Sequence, residues 1–219
     1  MAARIEILRN FTLVDCVVKV ASVEPLGAPG ALVDALPLLS HYRRDKVMRY
    51  RFDRGKWLSA GAGLLLDNML MEHGLRERDM QYVEGEHGKP ALADHPDLHF
   101  NLSHSGTLVA CALGGHPVGV DVQTIVNPSP GLVNYTLDER EIAHLEAQAD
   151  DENKSLYFTK LWTLKESYAK ATGTGLTHSF PSFAIEADGN TTPLSPLYPP
   201  ATFKTVLVAG SVVTVAIIT

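Results

Sequence analysis

Three short apolar runs, residues 98–102, 108–113 and 118–122, follow one another with only the segments SHSG and GGHP between them. Glycine and proline in such spacers suit tight turns, so the runs read as successive strands. Helical patterns flank this group. Upstream lies an apolar helical run over residues 57–71, preceded by a stretch that begins near Ser40, an N-cap type of residue. The small residues Gly61, Ala62 and Gly63 permit close packing there, although glycine lowers helix propensity. Downstream, residues 138–149 read as a helix, and a longer one runs over residues 152–172 and stops at Gly173. Residues 12–20, 182–186, 202–208 and 212–218 are strand-like, and residues 127–131 (NPSPG) form a break placed as a linker between lobes. Strands grouped together, rather than alternating one by one with helices, point to an α+β chain and not to a doubly wound sheet.

The chain has 219 residues, of which 45% are hydrophobic and 20% charged, enough to build a core and too few charges for extended disorder. The formal net charge of −6 argues against a nucleic-acid binder that works by bulk phosphate attraction. The first ten residues lack an apolar signal core, and no stretch approaches the roughly 18 apolar residues of a membrane span, so a cytoplasmic protein is expected. Cys16 and Cys111 sit in apolar runs and read as buried free thiols. The nine histidines are not joined by a Cys/His cluster of zinc-site spacing.

Three segments carry polar groups where a core would not want them. In Gly119-Val120-Asp121-Val122-Gln123, Asp121 and Gln123 share one strand face. A buried acid there needs a partner, and a metal ion is one. In the helix ending at Gly173, Trp162, Glu166 and Lys170 recur every four residues along one face, although Glu before Lys at that spacing is also a common surface pair. In Phe100-Asn101-Leu102-Ser103-His104-Ser105-Gly106 a strand runs into a polar turn. Strand neighbours point to opposite faces, so His104 does not activate Ser103 as a nucleophile, and both read as donors to phosphate. A fourth feature is electrostatic. Residues 43–56 hold seven cationic and two acidic side chains, a local charge of +5 inside an acidic chain, which implies an anionic partner docking on that region.

Taken in order, these segments resemble the Sfp-type 4'-phosphopantetheinyl transferases. That family has a G-K-P turn, an N-[IVL]-S-H-[ST] strand end, a G-[IV]-D-[IVL]-x strand and a W-[ST]-x-K-E-[AS]-x-x-K helix. Here they read Gly88-Lys89-Pro90, Asn101 to Ser105, Gly119 to Gln123 and Trp162 to Lys170. The basic segment fits the family's N-terminal region, and the likeness is strong from about residue 41 to 176 and vague outside it.

The resemblance implies two similar α+β lobes related by a pseudo-twofold axis, residues 1–115 and 116–219, with the active site in the cleft between them. It implies transfer of the phosphopantetheine arm of coenzyme A to a serine of an apo acyl or peptidyl carrier protein, with Mg²⁺. The carrier would serve fatty-acid, polyketide or nonribosomal-peptide synthesis, and the doubled architecture suits a monomer with neither nucleic acid nor membrane as partner. Asp121 and Glu166 would bind Mg²⁺ with the pyrophosphate. Ser103 and His104 would contact the 3'-phosphoadenosine portion, Lys89 and Pro90 the adenine side, and Lys170 the pyrophosphate. Arg49 and Lys56 are the candidate phosphate clamps. Glu166 is the candidate general base, with a metal-bound water as the alternative. One position departs from the family's common pattern: Gln123 stands where many relatives carry a second acid, so a two-carboxylate site with Gln123 as neutral third partner is expected. A degenerate homologue that binds coenzyme A or a carrier without turnover is the rival reading.

Overall fold

A computed structural model describes residues 5–85, 87–173 and 199–218. The strand expected at residues 182–186 lies outside the described residues. The chain forms two antiparallel sheets packed face to face, each covered on its outer side by a long helix.

The first sheet has the order β1-β2-β6-β5, from β1 (Glu6–Leu13), β2 (Cys16–Ser22), β5 (His99–Ser105) and β6 (Leu108–Gly114). A separate pair, β3 (Tyr82–Glu84) and β4 (Pro90–Leu92), flanks the Gly88 turn. The single strand expected over residues 12–20 is instead two strands. The chain reverses between the paired residues Leu13 and Cys16, and Val14 takes a left-handed φ of 53°. Nothing in the Val14-Asp15 dipeptide advertises such a turn, since hairpin turns of this kind favour Asn-Gly or Asp-Gly. Asp15 then accepts from the backbone nitrogen of Gly115, which binds this hairpin to the chain segment leaving β6.

Helices α1 (Ala31–Ala35), α2 (His41–Arg49) and α3 (Asp53–Leu70) lie beside this sheet. Ser40 caps α2 by accepting from the backbone nitrogen of Arg43, as its residue type foretold. Leu65, Leu66, Met69 and Leu70 of α3 join Phe100, Val109, Cys111 and Leu113 in one core. A β-carbon on Gly63 would strike the stem of Arg43, so the small residues of α3 make room for the helix that carries the basic segment.

The second sheet has the order β7-β9-β8, from β7 (Val118–Thr124), β8 (Ala201–Val208) and β9 (Ser211–Ile218). Alternation splits each inner strand between two cores. Val18, Val20, Ala110 and Ala112 face Val118, Val120, Val122, Val213 and Val215 between the sheets. Phe203 and Ala216 face outward onto Phe158, Leu161, Leu164 and Tyr168 of α6 (Asp151–Thr172). Gly173, at φ 72°, ends α6 where expected.

The segment 127–131, expected as a break, instead leads into a helix, α4 (Pro130–Thr136), with Ser129 as its N-cap. Pro130 sits in the first turn of α4, where its missing N–H costs nothing. Next comes α5 (Glu139–Glu146), opened by a capping box of Asp138 and Glu141. Glu141 does a second job. It pairs at 2.6 Å with Lys165, which is fully buried in α6 and also donates to the carbonyl of Thr136. Burial lowers the lysine pKa, and the Glu141 carboxylate opposes that shift.

The third strand of the central group leaves its neighbours. After the hairpin β5–β6, the chain crosses between Gly114 and Val118 into the second sheet, where β7 becomes an edge. Its outward backbone groups are met by side chains. Asn101, Ser103 and Ser105 of β5, all on one strand face, accept from the nitrogens of Val120, Val122 and Thr124 at 2.9, 3.3 and 3.1 Å. Lys89 donates to the carbonyl of Val118 and Lys170 to that of Val120. The two sheet edges are therefore joined by a ladder of side chains.

Gly119 shows how closely α6 lies against this strand. A β-carbon there would overlap the carbonyl oxygen of Ser167 and the backbone nitrogen of Ala171. Gly119→Ala is expected to cost about 3 kcal/mol of unfolding free energy, the upper range for forcing extra volume into a packed site. Urea unfolding measures this, and a wild-type midpoint would show that α6 can back away from β7.

Candidate active site

Asp121 projects from β7 toward α6 and is 1% exposed. Its Oδ1 accepts from Lys170 Nζ at 2.6 Å and from Ser103 Oγ at 2.8 Å. Its Oδ2 is buried with no hydrogen-bond partner. A buried carboxylate oxygen is costly to leave bare, so this atom is the one with bonding capacity to offer. Trp162, Glu166 and Lys170 are half-buried on α6, while residues 163–165 and 167–169 between them are buried. The four-residue spacing thus gives one face that opens onto β7. Burial raises the Glu166 pKa, and the nearby Asp121 charge raises it further. Lys170 and a hydrogen bond from Trp162 pull the other way. Two acids on different elements have been brought close enough to repel.

Gln123 lies two residues along the same face of β7, and its Oε1 accepts from Ser105 Oγ at 3.3 Å. Among the described residues no group of three or more His, Cys, Asp and Glu side chains could hold a metal. Asp121 Oδ2, the Glu166 carboxylate and the amide oxygen of Gln123 are oxygen donors of the kind a hard divalent cation takes. Oxygen ligands of this kind suit Mg²⁺, which needs few protein ligands.

A cavity of about 420 Å³ opens beside this cluster. Arg43, Lys46, Arg49 and Tyr50 line it from α2 and its end, Ser59 and Ala62 from α3, and Pro90, Phe100, Leu102 and His104 from β4 and β5. His104 ties cavity and carboxylates together. Desolvation lowers its pKa first, Lys170 lowers it further, and Asp121 opposes both, so the ring lies within reach of both charges. Ser103 and His104 do point apart, the one to Asp121 and the other into the cavity.

The candidates from the basic segment separate. Arg49 lines the cavity, whereas Lys56 is outside its wall and pairs with Asp53 at 3.3 Å. Lys89 donates to the carbonyls of Val118 and Ala171 at 2.9 and 3.2 Å, so it straps the Gly88 turn to β7 and to the end of α6. Burial lowers its pKa to about 8. Pro90 is on the cavity wall.

Arg43 was missed by sequence reasoning. It is 6% exposed, and its Nε and Nη2 have no hydrogen-bond partner. Glu77 stands 3.9 Å from Nε, but its oxygens are already engaged by Ser40 and Tyr82. The guanidinium also lies 5.9 and 6.0 Å from the ring centroids of Tyr42 and Tyr82, and its unused donors on the cavity wall are of the kind that could hold an anion. Nothing in the sequence separates it from the six other cations of the segment, because its burial depends on where α3 packs.

A model of the 4'-phosphopantetheinyl transferase superfamily matches residues 117–215. The 4'-phosphopantetheinyl transferase Sfp of Bacillus subtilis (strain 168) is 30% identical over 151 residues, covering 68% of this chain and 67% of that protein. A similar protein, the 4'-phosphopantetheinyl transferase psf-1 of Bacillus pumilus, is 32% identical over 164 residues, covering 71% and 68%. A third, a 4'-phosphopantetheinyl transferase of Bacillus subtilis, is 33% identical over 148 residues, covering 67% and 66%. The chain belongs to the 4'-phosphopantetheinyl transferase superfamily and is an enzyme of that type.

The raised Glu166 pKa has a consequence for stability. A glutamate whose folded pKa lies above its unfolded value of about 4.5 favours the folded state while protonated and loses that contribution as pH rises through the window between the two. Metal-free Glu166→Gln should match wild type near pH 4 and melt progressively higher than it toward neutrality. A constant gap at all pH values would show that Asp121 and burial do not strain Glu166.

Proposed function

We propose that the enzyme binds coenzyme A with its 3'-phosphoadenosine end in the Arg43–His104 cavity and its pyrophosphate at Asp121 and Glu166. It then transfers the 4'-phosphopantetheine arm to a carrier-protein serine. The observation that carries this reading is the bare, buried Oδ2 of Asp121 beside Glu166 and next to the basic cavity.

The serine hydroxyl attacks the phosphorus next to the pantetheine. The bond from that phosphorus to the bridging oxygen breaks, and adenosine 3',5'-bisphosphate leaves with the electron pair. The serine proton passes to a base, for which Glu166, with its raised pKa, is the side chain near the reacting phosphates. Asp121, Glu166 and Gln123 would hold Mg²⁺, which when bound neutralises charge on the pyrophosphate oxygens. Arg43, Lys46 and Arg49 neutralise the distal phosphate, and His104 and Pro90 flank the cavity that a nucleotide would fill. Because charge in this reaction is spread over phosphate oxygens, positioning and neutralisation supply most of the acceleration.

The acceptor is an apo acyl or peptidyl carrier protein, and the enzyme acts as a cytoplasmic monomer. No helix among the described residues is long and apolar enough to cross a membrane.

Mass spectrometry of an apo-carrier incubated with enzyme, coenzyme A and Mg²⁺ should register one added phosphopantetheine, lost on chelation with EDTA. Asp121→Ala and Glu166→Ala should each lower kcat by about a thousandfold or more, and Gln123→Ala by about tenfold, since it removes a neutral ligand. Full activity in Glu166→Ala would overturn the mechanism. A loss in Gln123→Ala as deep as in Asp121→Ala would overturn the two-carboxylate site. For Arg43→Ala the KM for coenzyme A should rise about tenfold with a smaller change in kcat, as for an anchor used equally in ground and transition states. An unchanged KM would remove Arg43 from the phosphate site.

A further inference from the structure

We infer that Glu77 is a positioning residue for the basic wall of the cavity, fixing the start of α2 so that Arg43 stands where the 3'-phosphate of coenzyme A binds. The inference rests on the reading of that cavity as the 3'-phosphoadenosine site. Glu77 is fully buried and takes no part in the proposed chemistry. An acid in such a place is costly unless its oxygens are engaged. Oε2 accepts from the Ser40 backbone nitrogen at 2.7 Å, and Oε1 accepts from Ser40 Oγ at 2.8 Å and from the Tyr82 hydroxyl at 2.7 Å. None of Glu77, Ser40 and Tyr82 lines the cavity, so a ligand entering it meets Arg43 without displacing these bonds.

The bonds act on the first turn of α2. Ser40 is the N-cap of that helix, and its hydroxyl has one hydrogen. That hydrogen goes to Glu77, which leaves a lone pair to take the Arg43 backbone nitrogen at 3.2 Å. Glu77 therefore aims the cap and also holds the backbone that carries it. The acid is itself tied to α3. Asp67 of α3 accepts from the Glu77 backbone nitrogen at 2.8 Å and is gripped by Arg76 at 3.0 and 2.9 Å. One wall of the cavity has Arg43, Lys46 and Arg49 from α2, and another has Ser59 and Ala62 from α3. The two helices are thus referred to each other through one buried carboxylate. That carboxylate also stands 3.9 Å from Arg43 Nε, an opposite charge behind the guanidinium on which neither Nε nor Nη2 spends a hydrogen bond.

Steady-state kinetics with coenzyme A and with 3'-dephospho-coenzyme A separate this role from general loosening of the fold. Glu77→Ala should raise the KM for coenzyme A about tenfold, with kcat within about twofold of wild type and the dephospho-coenzyme A KM unchanged, as when one oriented charged donor to a phosphate is lost. Glu77→Gln keeps a hydrogen-bonding group of the same shape against Ser40 and should recover most of the coenzyme A KM. Tyr82→Phe keeps the ring stacked on Tyr42 but removes the one Glu77 bond that does not reach Ser40, and should leave both KM values at wild type. Should Glu77→Ala not fold, Ser40→Ala takes its place, with the same selective rise in the coenzyme A KM at reduced size. An equal rise in both KM values, or no rise in either, would make Glu77 a structural residue and overturn the inference. Glu77→Gln as impaired as Glu77→Ala would overturn it too, because the hydrogen bonds to Ser40 would then not be what positions Arg43. Failure of the underlying site reading has a different signature: Arg43→Ala would then change the two KM values equally or not at all.

Discussion

The edge of β7 is the constraint on which the rest of the structure depends. A strand that ends one sheet carries unpaired backbone groups along its free side. Here that side is closed by Asn101, Ser103 and Ser105 from the edge of the other sheet, with Lys89 and Lys170 at the carbonyls. Side chains can span a gap that a direct backbone ladder cannot, so the two sheets meet edge to edge without merging. Their valine-rich faces can then pack against each other while a seam of polar atoms remains. The rungs at the Val120 and Val122 nitrogens fill buried donors, whose loss costs about 1–3 kcal/mol each, and these hold the seam in one register.

That seam explains why a buried carboxylate can be placed at the junction. Asp121 sits among the rungs, where polar side chains are required in any case. The hydroxyl that satisfies Val122 also holds Asp121, and the ammonium that satisfies Val120 also pairs with it. The site is thus built out of the groups that join the sheets. Gly119 adds the second half of the geometry by letting the α6 backbone approach β7, which brings Glu166 and Lys170 to the same place.

Much of this was legible in the chain itself. Strand grouping gave the α+β class, Ser40 and Gly173 marked helix ends, and the four-residue spacing of Trp162, Glu166 and Lys170 marked the face that opens. Residue alternation separated Ser103 from His104. What escaped were features set by tertiary partners. The Val14-Asp15 turn lacks the Asn-Gly or Asp-Gly pair of a typical hairpin; its position is fixed by the pairing of β1 with β2 and by Asp15 bonding to Gly115. Lys165 sits inside the most informative helix yet points away from the site, into a buried pair with Glu141 that no local pattern reveals. Arg43 could not be chosen from seven cations because burial, which makes its unused donors meaningful, depends on where α3 packs.

Gln123 fits this electrostatic arrangement better than a third acid would. With Asp121, Glu166 and Lys170 charged, the cluster already carries one excess negative charge in a half-buried setting, and the raised Glu166 pKa registers the repulsion. A carboxylate at position 123 would lie on the same face of β7 and deepen that repulsion whenever no cation is present. An amide keeps an oxygen in the same place without the charge. That oxygen accepts from Ser105 Oγ at 3.3 Å. The neutral side chain therefore offers an oxygen along this face of β7 without adding to the repulsion between Asp121 and Glu166.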